Sequence, residues 1–264
     1  ISSYARWRWH RGSGDRLSII HSRPGNADPF WEDVQLSSSH VLTEFCAPRI
    51  WDCQFTQSSW EAWFAPSGEW KASSFAGNGL NTGLLIAHAP GGVRIEGCAF
   101  SGCQTGVRLD HAEAHLACST WDHNAIGIRL EEGGKGWLTG ANGGHNRFFS
   151  NSIHADWDGG PWWECAGGHN EFGAFSNAGF AGDLAGNLPP FGEVLNAAHN
   201  HWNNELDYNG FSNPNVELLT LPADAGPTSC GSGSTPTPIN DAPKSHGAQS
   251  GQNILWRPAH PSAG

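Results

Sequence analysis

Three short segments place opposite charges at one spacing. Val107-Arg108-Leu109-Asp110, Ile128-Arg129-Leu130-Glu131 and Ile153-His154-Ala155-Asp156 each carry a basic residue with a carboxylate two positions later. Read as strands with a side-chain period of two, they put Val107 and Leu109 inside and Arg108 outside. Arg108, Arg129 and His154 then form one outward column, and Asp110, Glu131 and Asp156 form the next. Neighbours in such a column stand about 5 Å apart. Three carboxylates that close repel one another unless cations neutralise them. The basic column can do this as an exposed salt-bridge ladder, at about 0–1 kcal/mol per pair, and so can bound Ca²⁺. The two columns are equal in length, which favours the ladder.

Two other residue sets invite chemistry. Gly143-Gly144-His145-Asn146-Arg147-Phe148 and Gly167-Gly168-His169-Asn170-Glu171-Phe172 repeat after 24 residues, and Ala198-His199-Asn200-His201-Trp202 is a third version. Stacked, His145, His169 and His199 offer three imidazoles that could ligate a transition metal. A straight row suits a tetrahedral site poorly, so these His-Asn pairs are expected to hydrogen-bond the chain at bends, and no metal site is assigned. Trp157, Trp162 and Trp163, with Trp60 and Trp63, fall outside the repeat's aromatic position. They serve either as platforms for sugar rings or as covers for loop bases.

The elements that must position these residues emerge from an aromatic marker. It recurs at Phe55, Phe75, Phe100, Trp121, Phe148, Phe172 and Trp202, at separations of 20, 25, 21, 27, 24 and 30 residues. An irregular period suits a solenoid whose loops vary while its strands stay in register. Three residues after the marker stand Asn78, Cys103, Asn124 and Asn151, expected to form an internal ladder of amides. A second strand precedes the marker in Arg49-Ile50, Val93-Arg94-Ile95 and His115-Leu116.

The units Cys98-Ala99-Phe100-Ser101-Gly102-Cys103-Gln104-Thr105-Gly106-Val107-Arg108-Leu109 and Trp121-Asp122-His123-Asn124-Ala125-Ile126-Gly127-Ile128-Arg129-Leu130 resemble the right-handed parallel β-helix repeat proteins, the pectin lyase-like superfamily. The resemblance covers residues 45–205. It implies an all-β, right-handed parallel β-helix, and it makes a Ca²⁺-assisted lyase site with an arginine base imaginable on the charged strip. The Asn-Thr-Asp, Asp-Asp and Gly-His-Gly motifs of the fold's hydrolases are absent. So are the Asp-Pro-His of its epimerases and the Arg-Xaa-Pro of its pectate lyases. No catalytic residue is assigned, since this fold hosts many unrelated functions.

Composition agrees. Of 264 residues only 15% are charged, Gly numbers 35, and the net charge of −11 argues against a nucleic-acid partner. No window is apolar enough to span a membrane. Cys46, Cys53, Cys98, Cys103, Cys118, Cys165 and Cys230 lack zinc-ribbon spacing. Cys53 and Cys98 fall at equivalent positions two coils apart, too far for a disulfide. The start at Ile1 and the lack of Met are expected of a processed or trimmed piece. Residues 1–44 read as an N-terminal cap or early coils, 45–221 as the β-helix, and 222–264 as an extended Pro/Gly-rich tail or linker. The expected protein is secreted or at the cell surface, a module for adhesion, glycan binding or scaffolding. Its partner would be a polysaccharide or another cell-surface protein, and no cofactor is required beyond possible Ca²⁺. The alternative is a polysaccharide lyase or glycoside hydrolase acting in a surface groove.

Overall fold

The computed structural model describes residues 29–138, 144–156, 169–173 and 200 with their side chains, and further backbone strands between Arg6–Trp7 and Asn253–Pro258. The chain winds into a parallel β-solenoid. Each coil contributes one strand to each of three sheets, of eight, nine and nine strands. One coil comprises Val93–Glu96, Ala99–Ser101 and Thr105–Asp110. The next comprises Glu113–Ala117, Thr120–Asp122 and Ile126–Glu131. Pairing between these coils is parallel in all three sheets. The strands Phe30–Glu32, Gln35–Ser37 and His40–Glu44 continue the same sheets into residues 1–44. Of the 222–264 tail, only Asn253–Pro258 is described, paired antiparallel with Val216–Leu221.

Period-two alternation decides what lies inside. Val107 pairs with Ile128 and Leu109 with Leu130, all buried, while Arg108 and Arg129 between them point outward. The marker rings form one internal stack. Successive centroids of Phe55, Phe75, Phe100, Trp121, Phe148 and Phe172 are 4.7, 4.9, 5.5, 4.6 and 4.9 Å apart. That spacing is the distance between paired strands, so identical rings in register must meet face to face. Trp202 holds the next place in the column by register.

The corners explain the polar interior. At each turn between sheets one residue takes positive φ, as at Asp52, Gln57 and Phe64 within one coil. Left-handed backbone costs a residue with a Cβ about 1–2 kcal/mol. The turn is offset by hydrogen bonds: the corner N–H groups of Asp52, Gln57 and Phe64 donate to the next coil at Lys71, Ala76 and Ala87. At the first corner a side chain from the next coil accepts the N–H of the buried residue that follows. Cys53 N donates to Ser73 Oγ, Cys98 N to Ser119 Oγ, and Ser119 N to Asn146 Oδ1. Asn146 N and Asn170 N donate to Asn170 Oδ1 and Asn200 Oδ1. Each asparagine also uses its Nδ2–H, as Asn146 does towards Leu116 O at 2.7 Å.

A second ladder runs at the next bend. Cys103 N donates to Asn124 Oδ1 and Asn124 N to Asn151 Oδ1, at 2.9 and 3.0 Å. Asn78 does not join it. Its coil carries extra residues at this bend, which leave Asn78 exposed. Asn81 reaches back instead, donating from Nδ2 to Ser58 O at 2.8 Å.

Cys53, Ser73 and Cys98 occupy successive places in the first ladder, so Cys53 and Cys98 are separate buried thiols. Burial pushes the thiols of Cys53, Cys98 and Cys103 up to about 12. They act as small core residues that lend the inner wall a weak donor. Cys118, at a corner, is disulfide-bonded.

Candidate functional site

The charged strip lies on the outer face of the third sheet, and the register places its members differently from the sequence expectation. Arg108 pairs with Arg129, and Arg129 with Asp156 rather than with His154. Asp110 pairs with Glu131. His154 therefore leaves the strip. It faces inward and is fully buried. The pairing is displaced by two residues from the expected one, so Ala155 and Asp156 keep their faces. His154 is inside because it stands opposite Gly127, and Gly127 and Ile128 are both buried at the start of this strand. The sequence did hold the signal. Gly106, Gly127 and His154 each stand six positions after their marker aromatic, and this constant offset sets His154 opposite Gly127.

That column is built for close approach. A Cβ on Gly106 would stand 2.7 Å from Gly127 O and 2.6 Å from the Trp121 ring, and one on Gly127 would stand 2.6 Å from His154 O. His154 ends the row of small residues and fills the interior beside Phe148 and Phe172, with ring centroids at 6.0 and 6.2 Å. Its Nε2 is 3.0 Å from Gly173 O and its Nδ1 is 3.2 Å from Asn151 Nδ2. A carbonyl only accepts, so Nε2 carries the proton and Nδ1 accepts from the amide. Burial depresses the imidazole pKa to about 4, against a smaller raising effect of Gly173 O. His154 is thus a neutral structural group.

The strip is an ion-pair network centred on Glu131. Arg108 Nε donates to Glu131 Oε2 at 2.7 Å, and its Nη2 reaches the same oxygen. Arg129 Nε lies 2.9 Å from Glu131 Oε1 and 3.4 Å from Asp156 Oδ2. Asp110 turns to the corner, with Oδ1 2.8 Å from His111 Nδ1. Of the three carboxylates, Glu131 and Asp156 engage arginine and Asp110 engages histidine. Similar pairs dress the other faces, as Lys135 with Glu113 at 2.9 Å and Arg147 with Glu171 at 2.8 Å.

His145 and His169 stack at the corner before the first ladder, with centroids 5.7 Å apart and planes 10° apart. Imidazole lone pairs lie in the ring plane, so two parallel rings this far apart do not converge on one ion without turning. Their neighbours Asn146 and Asn170 carry the hydrogen bonding of the bend. His199 lies outside the described residues.

The aromatic candidates divide. Trp60 is fully buried, because alternation in Ser59–Trp63 turns Trp60 and Ala62 inward. Trp63 is half-buried on the outer face, and its Nε1 donates to Glu61 Oε2 at 3.1 Å. Trp157 pairs in register with Leu130, and Trp162 and Trp163 pair with Lys135 and Gly136. The side chains of Trp157, Trp162 and Trp163 lie outside the described residues. A feature missed from sequence is an exposed ridge at the third corner. Phe45, Phe64, His88 and His111 stack there with centroids 4.9, 5.0 and 4.9 Å apart. Phe45 and Phe64 are 51% and 43% exposed, but the stack covers most ring faces and leaves the edges to solvent. The sequence signal for it is a ring at the position just after four successive third-sheet strands, at Phe45, Phe64, His88 and His111.

The chain is a parallel β-solenoid with a salt-bridged lateral face and asparagine-laddered bends. Comparisons with protein-family models, with curated proteins and with solved structures give no match. Among the described residues no helix is long and apolar enough to cross a membrane.

Proposed function

We propose that this chain is a non-catalytic module of an exported protein, akin to the pectin lyase-like β-helices, that serves adhesion, glycan contact or scaffolding. The observation that carries this reading is the engagement of Arg108 and Arg129 by Glu131 and Asp156. An arginine base or a Ca²⁺-binding carboxylate row needs groups turned to a substrate, whereas these are turned to one another. His154 is sealed in the core, which removes it from proton transfer with a surface ligand. The disulfide at Cys118 supports export, since such bonds persist in oxidising compartments. A rigid, repetitive rod with laterally presented faces suits an extended polymer or a neighbouring surface protein.

The test is a panel of acidic and neutral polysaccharides assayed for both retention and turnover. Retention on a polymer without new reducing ends or unsaturated-uronate absorbance is the expected result. Turnover that disappears in Arg129→Ala while the fold persists would replace this reading with a lyase or hydrolase.

A further inference from the structure

We propose that the third corner of the solenoid holds a divalent transition metal of the zinc class through Asp110, His111 and Glu132. One nitrogen of His111 and one oxygen from each carboxylate lie within 4.8 Å of one another. The site is independent of the function proposed above.

Charge supplies the first reason. Arg108 and Arg129 are committed to Glu131 and Asp156. Asp110 and Glu132 are left with His111 as their ionic neighbour among the described residues: Asp110 Oδ1 is 2.8 Å from Nδ1, and Glu132 Oε2 is 3.7 Å from Nε2 on the other side of the ring. The corner thus sets two carboxylates against one imidazole. A divalent cation neutralises both and takes the imidazole as a third donor.

Donor chemistry supplies the second. Calcium and magnesium favour oxygen-only sets, while one imidazole beside carboxylates suits zinc and its neighbours. The third reason is the ring's seat. His111 stacks on His88 at 4.9 Å with planes 24° apart, so its ring is braced on one side. His88 acts as a positioning residue, since its nearly parallel plane keeps its own nitrogens from the same ion. Glu132 begins the tight turn closed by Gly134 N to Glu131 O at 2.8 Å, and its exposed side chain is free to move inward. Ligands about 2.0–2.2 Å from zinc lie roughly 3.3 Å from one another, so the donor atoms must close in by about 1.5 Å, and Glu132 must swing from the Nε2 side of the ring to the Nδ1 side, where Asp110 already stands. Three protein donors leave a fourth position for water.

The experiment uses the full chain, stripped with a chelator, and Zn²⁺ as the probe. Titration calorimetry is run on wild type, His111→Ala and Glu132→Gln, with histidine ring ¹⁵N spectra at one equivalent of Zn²⁺. A site is expected whose affinity falls about tenfold or more in His111→Ala and measurably in Glu132→Gln. His111 ring nitrogens should shift at the first equivalent, and equimolar Ca²⁺ should leave that shift intact. Equal affinity and stoichiometry in all three proteins would overturn the proposal. So would first-equivalent shifts confined to other histidines, or displacement of Zn²⁺ by Ca²⁺.

Discussion

Acid should weaken this fold through His154, by an amount that can be worked out. The imidazole is buried between Phe148 and Phe172, donates from Nε2 to Gly173 O and accepts at Nδ1 from Asn151. Its folded pKa is about 4 against an ordinary 6.5, with burial as the main cause. A depressed histidine binds its proton more readily in the unfolded chain, so stability is full above pH 6.5 and declines as pH falls towards 4. The slope is about 1.4 kcal/mol per pH unit across that window, for a total of about 3 kcal/mol. Other groups titrate there too, so the measurement must be a difference. His154→Gln keeps a donor for Gly173 O and an acceptor for Asn151 and does not titrate. Urea unfolding of both proteins from pH 8 to pH 4 should give curves that converge, or cross, by about 3 kcal/mol as pH falls. Curves that stay parallel would show that His154 is not buried as a neutral group, and the register that places it inside would be wrong.

Replacing Phe100 by Ala removes a ring stacked between Phe75 and Trp121 and should cost about 3–5 kcal/mol by chemical denaturation. Asn124→Ala leaves the buried N–H of Cys103 without its acceptor and should cost about 1–3 kcal/mol or more, whereas an exposed asparagine such as Asn78 should be replaceable at under about 0.5 kcal/mol. Arg129→Ala should change stability by under about 1 kcal/mol, because its pairs are partly solvent-screened. In native protein Cys53, Cys98 and Cys103 should resist alkylation and react only on unfolding, as peptide mass spectrometry of labelled samples would record.

The architecture is legible in the order of residue types. An aromatic every coil, an asparagine or cysteine three residues later and an alternating strand after that are consequences of strands pairing about 4.8 Å apart, and such a repeat is written in residue types. Phe100 beside Trp121, Val107 beside Ile128 and two buried, separate thiols at Cys53 and Cys98 all followed from counting. Register at the coil ends and the partners of surface charges come instead from the stacking of the coils. Ile153-His154-Ala155-Asp156 imitates the alternation of Ile128-Arg129-Leu130-Glu131, but its true counterpart begins two residues earlier, where Gly127 and Ile128 are buried in succession, and only the neighbouring coil shows that offset. Asn78 stands at the ladder's spacing, but its bend carries extra residues, which a count from the marker does not reveal. The exposed ridge from Phe45 to His111 and the cluster of Asp110, His111 and Glu132 bring together residues about 20 positions apart at corners of variable length. Long flexible side chains choose partners among several within reach, and only the stacked coils show that Glu131 takes both arginines while Asp110 turns to His111.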